Sequence, residues 1–143
     1  MTALVVAGAA IFLLLGLGHA ALTLMSSPAG GPLAPTSTEV RTAMAEPTGL
    51  GMAPGLDSTL WKAWVGFNLS HALGVIAVAG TIMFHAIDDL DAVAGDPWFL
   101  VLTCGVPIVY LVISIRYWFA GPTRGIIVGG LLVAIGTLGA AFW

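Results

Sequence analysis

Residues 3–25 read ALVVAGAAIFLLLGLGHAALTLM, a run from Ala3 to Met25 without a single Asp, Glu, Lys or Arg. A helix that crosses the roughly 30 Å hydrocarbon core of a bilayer needs about 20 such residues. In hydrocarbon every backbone N–H and C=O must be satisfied inside the segment, so the run predicts a transmembrane helix. Three later runs follow the same pattern. Together they predict helices at about 3–25, 58–87, 97–120 and 123–143, with one long loop, 26–57, between the first and the second. The expected fold is all-α, an integral membrane four-helix antiparallel bundle forming a single transmembrane domain over residues 1–143.

Composition points the same way. Of 143 residues, 59% are hydrophobic and 8% charged, and the mean hydropathy is +1.04. Soluble domains carry about 25% charged residues, so most of this surface is made for lipid. Four Lys and Arg against seven Asp and Glu give a net charge of -3, which excludes nucleic-acid binding by phosphate neutralisation. The single cysteine, Cys104, excludes a disulfide framework and a cysteine-based zinc or iron–sulfur site within the chain. It is expected as a small core residue of the third helix.

The breaks between the runs carry their own signals. Asp57 and Ser58 are expected to cap the second helix. Pro107 falls inside the third and is expected to bend it, and Pro122 marks the start of the fourth. Small residues at Ala20 and Ala21 resemble a signal-peptide cleavage site, but Met1-Thr2-Ala3 lacks a basic n-region, so the first helix is expected to be retained. In the fourth helix Gly125-x-x-x-Gly129 permits close backbone approach and is read as intramolecular packing. Within the long loop Thr36-Ser37-Thr38-Glu39 fits a capping box, followed by Val40, Ala43 and Met44 at helical spacing up to Glu46-Pro47. A short interfacial helix and an irregular loop with one helical turn both fit that pattern. The uncharged stretch with Gly49, Gly51, Met52, Pro54 and Gly55 suits contact with a partner protein or with headgroups.

Lys and Arg set the orientation. Arg41 and Lys62 belong to the first connection, and Arg116 and Arg124 flank the last. The turn Ile87–Asp96 holds Asp88, Asp89, Asp91 and Asp96 and no basic residue. The bias predicts the long loop on the cytoplasmic side and both termini outside, as in a cytoplasmic (inner) membrane protein. Trp98 and Trp143 on the outer side, and Trp61 and Trp118 on the inner, read as interfacial belts.

Polar groups within the spans are the default functional candidates. His19 lies roughly 9 Å inside the first helix at about 1.5 Å of rise per residue, and Asn68 roughly 12 Å inside the second, with His71 three residues deeper. Arg116, Ser114 and Tyr110 lie progressively deeper in the third. Trp61, Trp64, Asn68 and His71 form one stripe of the second helix, and Gly66, Ser70 and Gly74 form a small-residue stripe beside it. The candidate site is therefore His19, Asn68, Ser70, His71, Tyr110 and Arg116. In one reading His19 and His71 ligate haem b, although their depths differ by about 5–8 Å on the helix-rise estimate. A quinone or lipid headgroup could use the same groups. In the competing reading the imidazoles hydrogen-bond each other, Asn68 or the tyrosines, and so fix helix pairing. His85, Asp88 and Asp89 form a weak metal candidate, set against a solvated acidic turn. The spans contain no nucleophile–base pair, phosphate loop or paired carboxylates, so no catalytic residue is expected.

Gly16-Leu17-Gly18-His19 and Gly66-Phe67-Asn68-Leu69-Ser70-His71-Ala72-Leu73-Gly74 resemble the motifs of an uncharacterised family of small bacterial four-helix integral membrane proteins. That family carries Gly-His in helix one and Gly-Phe-Asn-x-Ser-His in helix two; the layout also resembles the DoxX-like four-helix proteins. The resemblance implies no reaction, and directs attention to His19, Asn68, Ser70 and His71. The functional expectation is a non-catalytic accessory or structural subunit, in contact with lipids and with the protein partners of a larger respiratory or photosynthetic membrane complex. The rival is a haem b, quinone or lipid-binding protein using His19 and His71.

Overall fold

The computed structural model describes residues 1–47 and 58–142. The expected cap at Asp57, the uncharged stretch around Gly49–Gly55 and the belt position of Trp143 lie outside the described residues. The chain is all-α. In order it forms α1 (Thr2–Leu24), α2 (Thr38–Ala45), α3 (Leu60–Val93), α4 (Pro97–Leu100), a π turn (Val101–Gly105), α5 (Val106–Tyr117) and α6 (Ala120–Phe142). Four helical stretches are long and apolar enough to cross a membrane: α1, α3, α4 through α5, and α6. Between 17% and 33% of the most apolar stretch of each is buried within the protein, and exposed side chains such as Leu14, Phe67 and Ile115 are suited to a hydrocarbon solvent. The chain is a multi-pass membrane protein.

Two compact units divide it, Met1–Leu15 with Val75–Trp143, and Gly16–Gly74. In the first, Val5, Ala9 and Phe12 of α1, Ile82, Ala86 and Leu90 of α3, Phe99 of α4, and Ile126 and Val133 of α6 make one core. Glycine lets α1 and α6 touch backbone to backbone. A Cβ on Gly8 would stand 2.6 Å from the Gly129 carbonyl oxygen, and one on Gly136 would stand 2.6 Å from Val5 Cγ2. Gly125 and Gly129 face Leu15 and Ile11 of α1, so the Gly-x-x-x-Gly spacing serves packing inside the chain, as expected.

Several boundaries differ from expectation. The second span starts at Leu60 rather than 58 and continues to Val93 rather than 87, so most of the acidic turn is helical. The helix is interrupted only at Asp89 (φ -159, ψ 89), whose Oδ1 accepts from the Ala92 N–H at 3.1 Å. An aspartate that takes an N–H three residues on competes with the helix ladder. Asp96, read as one more acidic loop residue, is the cap of α4. Its Oδ1 accepts from the N–H groups of Trp98 (2.8 Å) and Phe99 (3.1 Å), with Pro97 at the first helical position, where no N–H is needed.

Pro107 is accommodated by the π turn that directly precedes it, a wider turn that absorbs the bond a proline cannot donate. The third span ends at Tyr117 rather than 120, because Trp118 is extended (φ -113, ψ -175). The fourth starts at Ala120 rather than 123, placing Pro122 in a first turn whose N–H groups have no intrahelical acceptor.

In the second unit the short loop helix forms as α2, with Met44 buried. Its cap is Ser37, one residue beyond the expected Thr36. Ser37 Oγ accepts from the Val40 N–H at 3.2 Å and donates to Glu39 Oε2 at 2.6 Å. That hydroxyl, before any other group, holds the exposed Glu39 carboxyl below its ordinary range. Gly31 (φ 142) turns the chain where a Cβ would meet the Ser26 Cα at 2.5 Å. Arg41 then staples the segment. Its Nε donates to the Pro28 carbonyl at 3.1 Å, Nη1 to those of Pro35 (2.7 Å) and Thr36 (2.8 Å), and Nη2 to Thr38 Oγ1 (3.0 Å).

Candidate functional site

The polar cluster is built in the second unit from the last turns of α1 and the first turns of α3. Asn68 is its hub. Asn68 Nδ2 donates to the Trp64 carbonyl at 2.7 Å, the carbonyl one helical turn earlier. A carbonyl only accepts, so the amide nitrogen must face Trp64 and Oδ1 must face the other way. Oδ1 lies 2.9 Å from His19 Nε2. The network therefore assigns the proton of that contact to His19 Nε2, and in neutral His19 it leaves Nδ1 as the acceptor. The Thr23 hydroxyl, fully buried, donates to the His19 carbonyl at 2.8 Å and so avoids being an orphan polar group in the apolar layer.

His71 follows Asn68 at helical spacing, and its ring meets that of His19 edge to face, with centroids 5.6 Å apart and planes at 80°. The two rings therefore touch, and a centroid separation of 5.6 Å leaves room for the expected difference in depth. Trp61 and Trp64 stack beside the cluster at 5.1 Å. As arranged, His19 Nε2 is committed to Asn68. A porphyrin standing between the two imidazoles would have to part an edge-to-face contact of the kind that packed rings prefer.

The remaining candidates have other surroundings. The Ser70 hydroxyl donates to the Phe67 carbonyl of its own helix at 2.9 Å. Tyr110 belongs to the first unit, where its ring meets Trp118 at 6.5 Å and borders an apolar crevice with Phe12, Val78, Ile82, Leu102 and Pro107. Arg116, in the same unit, is exposed in the last turn of α5. The His85 ring packs edge-on against Phe84 (5.4 Å) and Phe99 (6.0 Å), while Asp89 is committed to the Ala92 N–H. Among the described residues no three His, Cys, Asp or Glu side chains gather closely enough to hold a metal ion. The Trp64 carbonyl, a partner that fixes the site's hydrogen-bond polarity, has no signature in the sequence because every residue carries one.

The small-residue stripe of α3 behaves unlike the glycines of α6. Among the described residues, a Cβ added at Gly66 or Gly74 would meet nothing within 4 Å, and the same holds at Gly80. Comparison of the chain with protein-family models, with curated proteins and with solved structures finds no match.

Proposed function

We propose that the chain is a non-catalytic subunit of a larger membrane assembly, and that it docks a partner's transmembrane helix on the Gly66–Ser70–Gly74 face of α3. It would sit in a bacterial inner membrane with the Arg41 and Lys62 connection inside and both termini outside. The supporting observation is the open space over that face. A glycine within a helix costs about 1 kcal/mol relative to alanine, and membrane helices recover that cost where small residues let a second backbone come close. Gly8, Gly129 and Gly136 are matched in this way within the chain. Among the described residues Gly66 and Gly74 are not, which suits a helix supplied from outside. In this reading the His19–Asn68–His71 cluster holds α1 to α3 and presents the docking face.

The test is purification from native membranes in a mild detergent. Partners should co-purify at fixed stoichiometry with the wild type, and Gly66→Leu or Gly74→Leu should release them while helicity by circular dichroism is unchanged. A wild-type protein that runs as a stable lone monomer would sink the proposal.

A further inference from the structure

Four Lys and Arg occur in the chain, and they are used differently. Arg41 is consumed by three carbonyls and a hydroxyl of its own loop. Arg116 and Arg124, which flank the turn between α5 and α6, are exposed, and among the described residues neither makes an ion pair or hydrogen bond. Each guanidinium brings five N–H donors and no acceptor. All the carboxylates of the first unit (Asp88, Asp89, Asp91 and Asp96) lie before Pro97, and the span Pro97–Tyr117 has 21 residues. At about 1.5 Å per residue this separates them from the turn by roughly 30 Å, a membrane thickness.

The turn also carries exposed aromatic residues. Tyr117 and Phe119 are 76% and 68% exposed on either side of it, as aromatic residues are at the boundary between acyl chains and headgroups. Arg116 suits the negative end of α5, but Arg124 stands near the positive end of α6, where a cation is disfavoured. An anion placed there meets the guanidinium and the free N–H groups of the first turn together.

We infer that this turn holds the phosphate of an anionic phospholipid, with Arg116 and Arg124 as its two cationic contacts and Tyr117 and Phe119 seated among the neighbouring acyl chains. The inference does not depend on the docking face of α3.

Protein purified in a mild non-ionic detergent is titrated with phosphatidylglycerol or phosphatidylcholine, and retained lipid is counted by native mass spectrometry. Phosphatidylglycerol should be retained in preference. Near an anionic surface each cation contributes about 5-fold in affinity, so Arg116→Gln with Arg124→Gln should lose about 30-fold. The paired lysine substitutions should keep most of the preference, and Lys62→Gln should leave it in place. Equal retention of the two lipids, an undiminished preference in the glutamine pair, or an equal loss from Lys62→Gln overturns the proposal. So does full competition by inorganic phosphate, which identifies a soluble-anion site instead. Should the glutamine pair not fold, the wild type is read in rising sodium chloride. The preference must fall as salt screens the charges, and one that persists at about 1 M, where the screening length is about 3 Å, overturns the proposal.

Discussion

Asn68 joins two helices through one amide, accepting from His19 and donating to Trp64. Leucine at this position fills similar space without either bond. Hydrogen bonds between membrane helices average about 0.6 kcal/mol and seldom exceed about 1.7 kcal/mol, so Asn68→Leu should destabilise the detergent-solubilised protein by no more than about 2 kcal/mol, read from its unfolding midpoint. A much larger loss would mean that the amide supports more than helix pairing. The same protein distinguishes the ligand reading. Haem held by His19 and His71 would give a Soret band that disappears in His19→Ala, and its presence would displace packing as the role of the cluster. Helical spacing made Asn68 and His71 legible as one stripe, and shared depth grouped His19 with them, along with Tyr110 and Arg116. The proton assignment was not legible, since it rests on a backbone carbonyl that any residue at position 64 would supply.

At the scale of elements, the two classes of glycine behave oppositely. A methyl group on Gly8 would overlap the Gly129 carbonyl and the Val133 side chain at 2.6 Å, and overpacking of that kind typically costs about 1–3 kcal/mol. A methyl on Gly74 meets nothing among the described residues and removes backbone freedom from the unfolded chain, worth up to about 1 kcal/mol in a helix interior. Gly8→Ala should therefore lower the unfolding midpoint of the isolated protein and Gly74→Ala should leave it equal or raise it. A lowered midpoint for Gly74→Ala would show that something inside the protein already occupies that face. The sequence displays both sets of glycines at the same small-residue spacing. Which set packs depends on how each helix is rotated, and α6, apolar on every side, carries no hydrophobic gradient to reveal that.

For the whole molecule, the proposed orientation rests on the basic residues in the first and last connections of the chain and the aspartates in the middle one. With Cys104 replaced by alanine, single cysteines are placed at Ser27 in the first connection and at Asp91 in the acidic segment. In intact cells a membrane-impermeant maleimide should label position 91 at once and position 27 only after permeabilisation. The reverse order would invert the topology and place Arg116 and Arg124 at the outer leaflet.

The sequence by itself determined the helical class and the four spans, while the short helix after Ser37 was one of two readings it left open. Hydrocarbon offers a backbone no partner outside its own segment, so an uncharged run of that length has the helix as its way across. Only the tertiary structure decided where α3 ends, how Pro107 is absorbed, which stripe of small residues is matched, how Arg41 closes its loop and that the two imidazoles meet. The matched stripe and the meeting of the imidazoles depend on the stagger and rotation of neighbouring helices. In a lipid solvent, where apolar side chains gain little by turning inward, those are settled by close packing and hydrogen bonds between residues far apart in the chain.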